Sequence, residues 1–436
     1  MSPVARWLLY VTASYVALLA SVYGLATAST RKAAPSPVTL DGFPDRVDAP
    51  WPWTPTVQSA PVEAVPVAVG GSTAGLRNLL TDTEGSVSFV DAHGGQRILD
   101  VPFESAVPGE SLLLSPDGTM VAYPQDALDP TVAPSNAIAV RTLRDGHVRL
   151  LPLPRSPTGS VTPLAWSPDQ SRLAVFRSDS SVGVLSLGTG SYTMLLPYPA
   201  GLLSSPRTPV VAAFSSSGTL AVQLGPQVCT GPGQATSTAE AWSPRCFTLP
   251  AGQRLAGKGA FTPDGGSLAV VSDAGRDSRI AFVSATDGAP AEGTIHLYAV
   301  TTVRLIGWWA DRALVVAFRP EPVTDIGPDG DEQSYAPTDY GLVRRLSILA
   351  VTPSSSSSQP PRSQELMILP DQILSIDIAD GALAAGRTTP GHPAPAWPAR
   401  PGVLTALIGL PAAPLAFVVF LAGAIRLARA AASTTP

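Results

Sequence analysis

One short pattern recurs four times along this chain and constrains its fold more than any other feature. Each copy is an apolar strand, a turn built on Ser/Thr-Pro-Asp-Gly and a second apolar strand, at 111–123, 163–176, 210–222 and 259–271. In such a turn proline presets φ, aspartate bonds the local backbone and glycine supplies a positive φ that closes the hairpin. The copies begin about 50 residues apart, which is the spacing of four-stranded propeller blades. The pattern therefore predicts an all-β propeller.

The turns of three copies carry the motif most clearly. Their predicted turn-forming residues are Pro116, Asp117, Gly118, Pro168, Asp169, Pro263, Asp264 and Gly265. Aspartates that recur at one structural position could also be catalytic or bind calcium. The turn geometry already accounts for them, so the structural interpretation is preferred.

The remaining strand patterns complete six blades. Residues 86–101 form a hairpin of two outer strands, whereas 373–379 and 381–385 are predicted to be two inner strands. Joining the two ends of the array in one blade would close the ring and leave no free sheet edge. Seven blades remain possible if residues 65–80 supply further strands.

Two uncharged stretches flank the predicted propeller, at 7–28 and 403–425, and each is long enough to cross a bilayer as a helix. The first could instead be a cleaved signal peptide, because Ala26-Thr27-Ala28 fits a small-residue cleavage site. The predicted organisation is a cytoplasmic tail at 1–6, a transmembrane signal anchor or signal peptide at 7–28, a Pro-rich linker at 29–75, the propeller at 76–386, a Pro-rich linker at 387–402, a transmembrane helix at 403–425 and a cytoplasmic tail at 426–436.

The propeller is expected to lie outside the cytoplasm, since a long domain behind an export signal is translocated largely regardless of its charge. Cys229 and Cys246, the only cysteines, flank a loop rich in Gly, Pro, Ser and Thr. A disulfide there would contribute roughly 3 kcal/mol and would persist only outside the cytoplasm. Two isolated buried thiols are the alternative.

Little in the chain points to chemistry. With a net charge of −5 and no long basic run, it lacks the footprint of a nucleic-acid binder. The sequence contains no G-x-S-x-G elbow, Walker A loop or pair of histidines at ligand spacing, so neither cofactor nor metal is predicted. An acidic stretch is the exception and could contact a partner, bind calcium or be a solvated insertion; it contains Asp325, Asp329, Asp331 and Glu332.

The hairpins resemble the WD40-like repeats of bacterial TolB-type propellers. The resemblance rests on Ser115–Gly118, Ser167–Asp169 and Thr262–Gly265, with Ser215–Gly218 as a degenerate copy. It implies a six-bladed, extracytoplasmic propeller that binds other envelope proteins without catalysis. The chain departs from that family in having candidate membrane spans at both ends, so the family's particular partners are not carried over.

These observations predict a membrane-tethered, extracytoplasmic propeller that acts as a non-catalytic protein-binding or scaffold module of the bacterial cell envelope. Its partners would be the membrane and another envelope or membrane protein. One alternative is a ligand receptor or a metal-dependent, lactonase-like hydrolase that uses the propeller channel. Another is a sensor that signals through its membrane spans.

Overall fold

The computed structural model of this 436-residue chain describes residues 40–50, 54–71, 85–101, 106–125, 136–154, 161–177, 181–197, 210–233, 242–320, 343–354, 362–371, 373–391 and 423. The predicted spans at 7–28 and 403–425, apart from Gly423, and the acidic stretch at 321–342 lie outside these residues. No helix within the described ranges has the length and apolar character to cross a bilayer.

Six four-stranded antiparallel sheets form the blades of a propeller, which confirms the predicted all-β, six-bladed architecture. Blades 2 to 4 follow the chain in order, each from its inner to its outer strand. Blade 2 is β5 (Leu113–Leu114), β6 (Met120–Pro124), β7 (Ala137–Thr142) and β8 (Val148–Pro152). Blade 3 is β9 (Val161–Trp166), β10 (Arg172–Arg177), β11 (Ser181–Ser186) and β12 (Tyr192–Pro197), and blade 4 is β13 (Val210–Phe214), β14 (Thr219–Leu224), β15 (Gln227–Pro232) and β16 (Arg245–Thr248).

The last two blades of the sequence continue the series. Blade 5 is β17 (Gln253–Leu255), β18 (Ser267–Ala274), β19 (Asp277–Ser284) and β20 (Pro290–Tyr298). Blade 6 is β21 (Thr302–Trp309), β22 (Arg312–Pro320), β23 (Val343–Thr352) and β24 (Arg362–Met367). Blade 1 joins the two ends of the array: β25 (Ile373–Ile378) is its inner strand, followed outward by β2 (Val67–Gly71), β3 (Ser86–Val90) and β4 (Gln96–Leu99).

The closure of blade 1 differs from the prediction of two strands from each end. Three strands come from the N-terminal end and one from the C-terminal end, and Val67 pairs with Ile378. β2 is buried along its whole length, so these apolar residues lie inside the blade although the prediction placed them in the 29–75 linker. They extend blade 1 and do not form a seventh blade. Residues 381–385, predicted as a strand, belong mainly to the short helix α1 (Asp380–Ala384), in keeping with the helix propensity of alanine and leucine.

The core consists of apolar clusters, each lying between two neighbouring blades. The cluster between blades 2 and 3, for example, brings Leu113 and Ile138 against Leu173 and Leu185. Blades 6 and 1 share a cluster that also buries Phe43 and Val47 from the segment before β2. Both faces of most central strands are therefore covered, which explains their nearly continuous apolar sequence.

Residues 40–50 and 54–65, which we call the strap, pack against blades 6, 1 and 2, although the sequence indicated an extended tether. β1 (Phe43–Pro44) pairs in parallel with β26 (Thr388–Thr389). Further along, the Val57 amide donates to Ile98 O on the edge of β4 at 3.0 Å, and the Val65 amide donates to Gly118 O at 2.9 Å. Prolines remove backbone donors, but the remaining amides and apolar side chains are enough to hold the strap.

Blade 5 begins earlier than the repeat pattern predicted. Its inner strand is β17, whereas Phe261 makes only an isolated bridge with Leu268. The chain bends between them at Gly257, where φ is +132°, and Gly259 then lies directly against the backbone of Gly307 in blade 6. The glycines allow two blades to approach at this point more closely than any side chain would permit.

Replacing Gly259 with alanine is therefore expected to lower the free energy of unfolding by about 1–3 kcal/mol, as other overpacking substitutions do. The added Cβ would overlap the backbone of Ile306 and Gly307, which cannot rotate away as a side chain can. Gly188→Ala is the matched control, because nothing lies within 4 Å of a Cβ at that position. Urea unfolding of both purified variants measures the difference, and equal stability would contradict the close approach of blades 5 and 6.

Candidate functional site

The recurring turns lie at one end of the strands and hold themselves together through their aspartates. Ser115 Oγ and the Thr119 amide donate to Asp117 Oδ1 at 2.7 and 3.0 Å. In the blade 5 copy, Thr262 Oγ1 and the Gly266 amide donate to Asp264 Oδ1 at 2.6 and 3.1 Å. Each carboxylate thus satisfies the donors of its own turn.

Positive φ occurs where the motif requires it. Gly118 and Gly265 have φ values of +69° and +71°. In the blade 3 copy Gln170 replaces the glycine and still has a φ of +58°. Ser167 Oγ and the Ser171 amide both donate to Asp169 in that turn, so its hydrogen bonds hold a conformation that glycine would adopt more easily.

The hydrogen bonds of the turns lower the pKa values of their aspartates. The hydroxyl of Ser167 is the main reason that the pKa of Asp169 falls to about 2. The pKa of Asp264 is lowered chiefly by Thr262. Burial alone would raise the pKa of Asp117, but hydrogen bonds from Ser115, from Thr119 and from Gln170 of the next turn outweigh it. The turn carboxylates are therefore ionised at neutral pH.

Turns touch in two neighbouring pairs, those of blades 2 and 3 and those of blades 4 and 5, and we call the four copies together the turn arc. Gln170 reaches Asp117 of the preceding blade. Ser216 Oγ donates to Pro263 O at 3.5 Å, linking the turns of blades 4 and 5. The Gly381 amide of α1 donates to Pro116 O at 2.7 Å, so the C-terminal helix lies against the same end of the propeller.

A buried ion pair connects blades that are not neighbours. Lys258, which follows β17 in blade 5, places Nζ 2.9 Å from Asp377 Oδ1 in blade 1 and 3.4 Å from Asp380 Oδ1 at the start of α1. Nζ also donates to Ile378 O at 2.7 Å. Asp377 is fully buried, and its Oδ2 accepts a hydrogen bond from the Leu114 amide of blade 2 at 2.8 Å. We call this group the Lys258 cluster.

The electrostatics of the Lys258 cluster favour a charged lysine. Burial alone would lower the pKa of Lys258, but the attraction and hydrogen bonds of Asp377 and Asp380 outweigh it, and the pKa is raised. A lysine that acts as a base or nucleophile needs a lowered pKa. The geometry and charge of this cluster therefore suit holding blades 1, 2 and 5 together.

Arg304 on β21 makes a second set of contacts between blades. Its Nη1 lies 3.0 Å from Glu110 Oε1, and its Nη2 donates to Ile376 O at 2.7 Å. Ser375 Oγ, which also accepts from Nη2, donates to Pro108 O at 2.7 Å. Blades 6 and 1 and the segment leading into blade 2 are thereby joined through one guanidinium.

Cys229 and Cys246 form the predicted disulfide, in blade 4. They are directly opposite each other on β15 and β16, with their Cα atoms 4.1 Å apart. Cys229 is buried, whereas the outer strand β16 is mostly exposed. The disulfide therefore holds a strand that has little apolar surface of its own to hold it.

Sequence reasoning placed the turn residues at one structural position but missed the charged residues between the blades. Asp377 is the only charged residue in the mostly apolar strand Ile-Leu-Ser-Ile-Asp-Ile, and Lys258 is one of only two lysines in the chain. A charge isolated in an apolar strand is a signal that it will be paired. The acidic residues Asp325, Asp329, Asp331 and Glu332 lie outside the described residues. Among those that are described, no three His, Cys, Asp or Glu side chains group in a way that could hold a metal ion.

Comparisons with known proteins give no family. No family model and no curated protein matches the chain. Among solved structures, it is similar to oligogalacturonate lyase in complex with manganese, with 12% identity, 64% of this chain and 81% of that chain covered, and a TM-score of 0.36. It is also similar to dihydro-heme d1 dehydrogenase NirN, with 13% identity and a TM-score of 0.37. That match covers 69% of this chain and 57% of that chain.

Two further similarities are to the β-propeller domain of Cps50 (Swd1) from Myceliophteria thermophila and to a chain of the mitotic checkpoint complex. The first has 16% identity and a TM-score of 0.34, and the match covers 59% of this chain and 72% of that chain. The second has 15% identity and a TM-score of 0.34, and the match spans 58% of that chain's length. Identities this low transfer no activity, and the fold rests on the strand pairing described above.

Proposed function

We propose that this protein is a membrane-tethered, extracytoplasmic propeller of the bacterial cell envelope that binds another envelope protein without catalysing a reaction. The observation that carries this proposal is the pairing of the charged groups between the inner strands. Lys258 and Arg304 are both engaged by carboxylates and carbonyls of other blades. Their charges serve to hold the ring together, which suits a rigid platform.

Two further observations support an extracytoplasmic tether. The Cys229–Cys246 disulfide is of the kind that persists in oxidising compartments. Uncharged stretches of spanning length occur on both sides of the propeller, at 7–28 and 403–425. The proposal follows the likeness of the turns to TolB-type repeats only in its general class, a propeller that binds envelope proteins.

The experiment that tests this function is crosslinking in intact cells, followed by capture of the tagged full-length protein. We expect membrane fractions to retain the protein after alkaline extraction and one envelope protein to be crosslinked reproducibly. The control is a variant that lacks the second predicted span, 403–425, and carries the same tag. Recovery of the full-length protein in the soluble fraction would contradict the tether, and a folded, exported protein with no reproducible partner would contradict the scaffold.

A further inference from the structure

Segments from the two ends of the propeller domain run side by side over a short distance. β1 and β26 run in parallel, with Phe43 paired to Thr388 and Pro44 to Thr389. Arg387 Nη2 lies 3.2 Å from Asp41 Oδ1, and the Gly391 amide donates to Asp45 Oδ1 at 2.9 Å. Because the pair is parallel, Leu40 lies just before its start and Gly391 just after its end, so each connection to a predicted span begins within three residues of the pair.

Both exits lie at the end of the strands that carries the turn arc, which we call the tether face. A Cβ added at Gly118 in the blade 2 turn would lie 3.0 Å from Leu40 Cδ1, so the first described residue adjoins this face. On the C-terminal side, Thr389 Oγ1 donates to Ala92 O in the β3–β4 turn at 2.7 Å. The opposite end, the far face, carries the β18–β19 turn and the end of β20.

The connections to the predicted spans are short. Residues 29–39 separate the first span from Leu40, and residues 392–402 separate Gly391 from the second. Fully extended, each connection reaches at most about 40 Å. Both connections start from the tether face. The most direct path of each connection to a bilayer therefore has the tether face turned towards the lipid.

We propose that the tether face, with α1 and the turn arc, is turned towards the bilayer surface and that the far face is presented away from it. This inference rests on the membrane tether in the proposed function. It identifies the bilayer as the surface facing the turn arc and leaves the far face accessible to a protein partner. The β1–β26 pair acts as a clasp that holds together the two segments from which the connections start.

The test measures the distance of each face from the lipid in the full-length protein. A fluorescent amino acid is introduced at Arg144 or Thr189, exposed on turns of the tether face, or at Asp277 or Tyr298, exposed on the far face. The protein is reconstituted into phosphatidylcholine–phosphatidylglycerol vesicles that carry a headgroup-labelled acceptor lipid. We expect energy transfer to the acceptor to be at least twofold greater from the tether-face positions.

The outcomes separate the inference from the proposed function. Equal transfer from the two faces, or greater transfer from Asp277 and Tyr298, in vesicle-bound protein would overturn the orientation and leave the tether intact. Protein that does not float with the vesicles would overturn both. Disrupting the clasp with Arg387→Glu, which places two acidic groups together at Asp41, should reduce the difference between the faces.

Discussion

Replacing Lys258 with methionine is expected to lower the free energy of unfolding by about 3–5 kcal/mol, the usual cost of removing one partner of a buried ion pair. Asp377 is fully buried and would lose the ammonium group that lies 2.9 Å from its Oδ1. The same carboxylate accepts a hydrogen bond from the Leu114 amide of blade 2. Loss of the ion pair should therefore weaken the contact with blade 2 as well as blade 1. Urea unfolding of the purified full-length protein, followed by tryptophan fluorescence, measures the change.

An exposed pair supplies the control. Arg345 Nη2 lies 3.3 Å from Glu365 Oε1, and both side chains are more than a third exposed, so Arg345→Met should cost less than about 1 kcal/mol. The double variant Lys258→Met, Asp377→Asn should recover part of the lost stability, since it removes the uncompensated charge. A Lys258→Met protein as stable as the Arg345→Met control would show that the cluster does not hold the ring.

Removing the disulfide by replacing Cys229 and Cys246 with alanine is the second large effect we expect, a loss of roughly 3 kcal/mol. The estimate follows from the sequence separation of 17 residues between the cysteines, since the crosslink restricts the unfolded chain. The exposed strand β16 should also pair less firmly with β15, because Phe247 is its only apolar side chain apart from the cysteine.

Thermal melting under oxidising and reducing conditions checks this result. The wild-type protein with a reductant should approach the melting temperature of the double alanine variant, whereas the variant itself should not respond to the reductant. Hydrogen exchange should rise mainly at residues 227–232 and 245–248 of blade 4. A variant that melts at the wild-type temperature would mean that packing alone holds β16.

Much of the fold could be predicted because local sequence carries it. The Ser/Thr-Pro-Asp-Gly turns specify their own conformation through the aspartate and glycine, so copies at residues 115–118 and 262–265 identify hairpins without any distant contact. The disulfide could be predicted from the isolation of its two cysteines. Each of these signals depends on a few consecutive residues or on composition.

The remaining features depend on contacts that local patterns do not encode. β2 was hidden because its residues follow a Pro-rich stretch, and one of the two strands that it pairs with, β25, lies at the far end of the chain. The strap is likewise fixed in part by the surface of blade 6, which is far away in sequence. Lys258, Asp377 and Arg304 come from separate blades, and one sequence does not show which charges will meet across a ring.

The way in which blade 1 is completed sets the order of events during synthesis. Val67 must wait for Ile378, about 300 residues later, before β2 gains its inner neighbour. At a synthesis rate of about 5–20 residues per second, β2 would remain without that partner for roughly 15–60 seconds. Contacts between such distant residues also form slowly, and an unpaired apolar edge is prone to aggregate. The ring can therefore close only after β25 has been synthesised, and until then the edge of β2 that faces it stays unpaired.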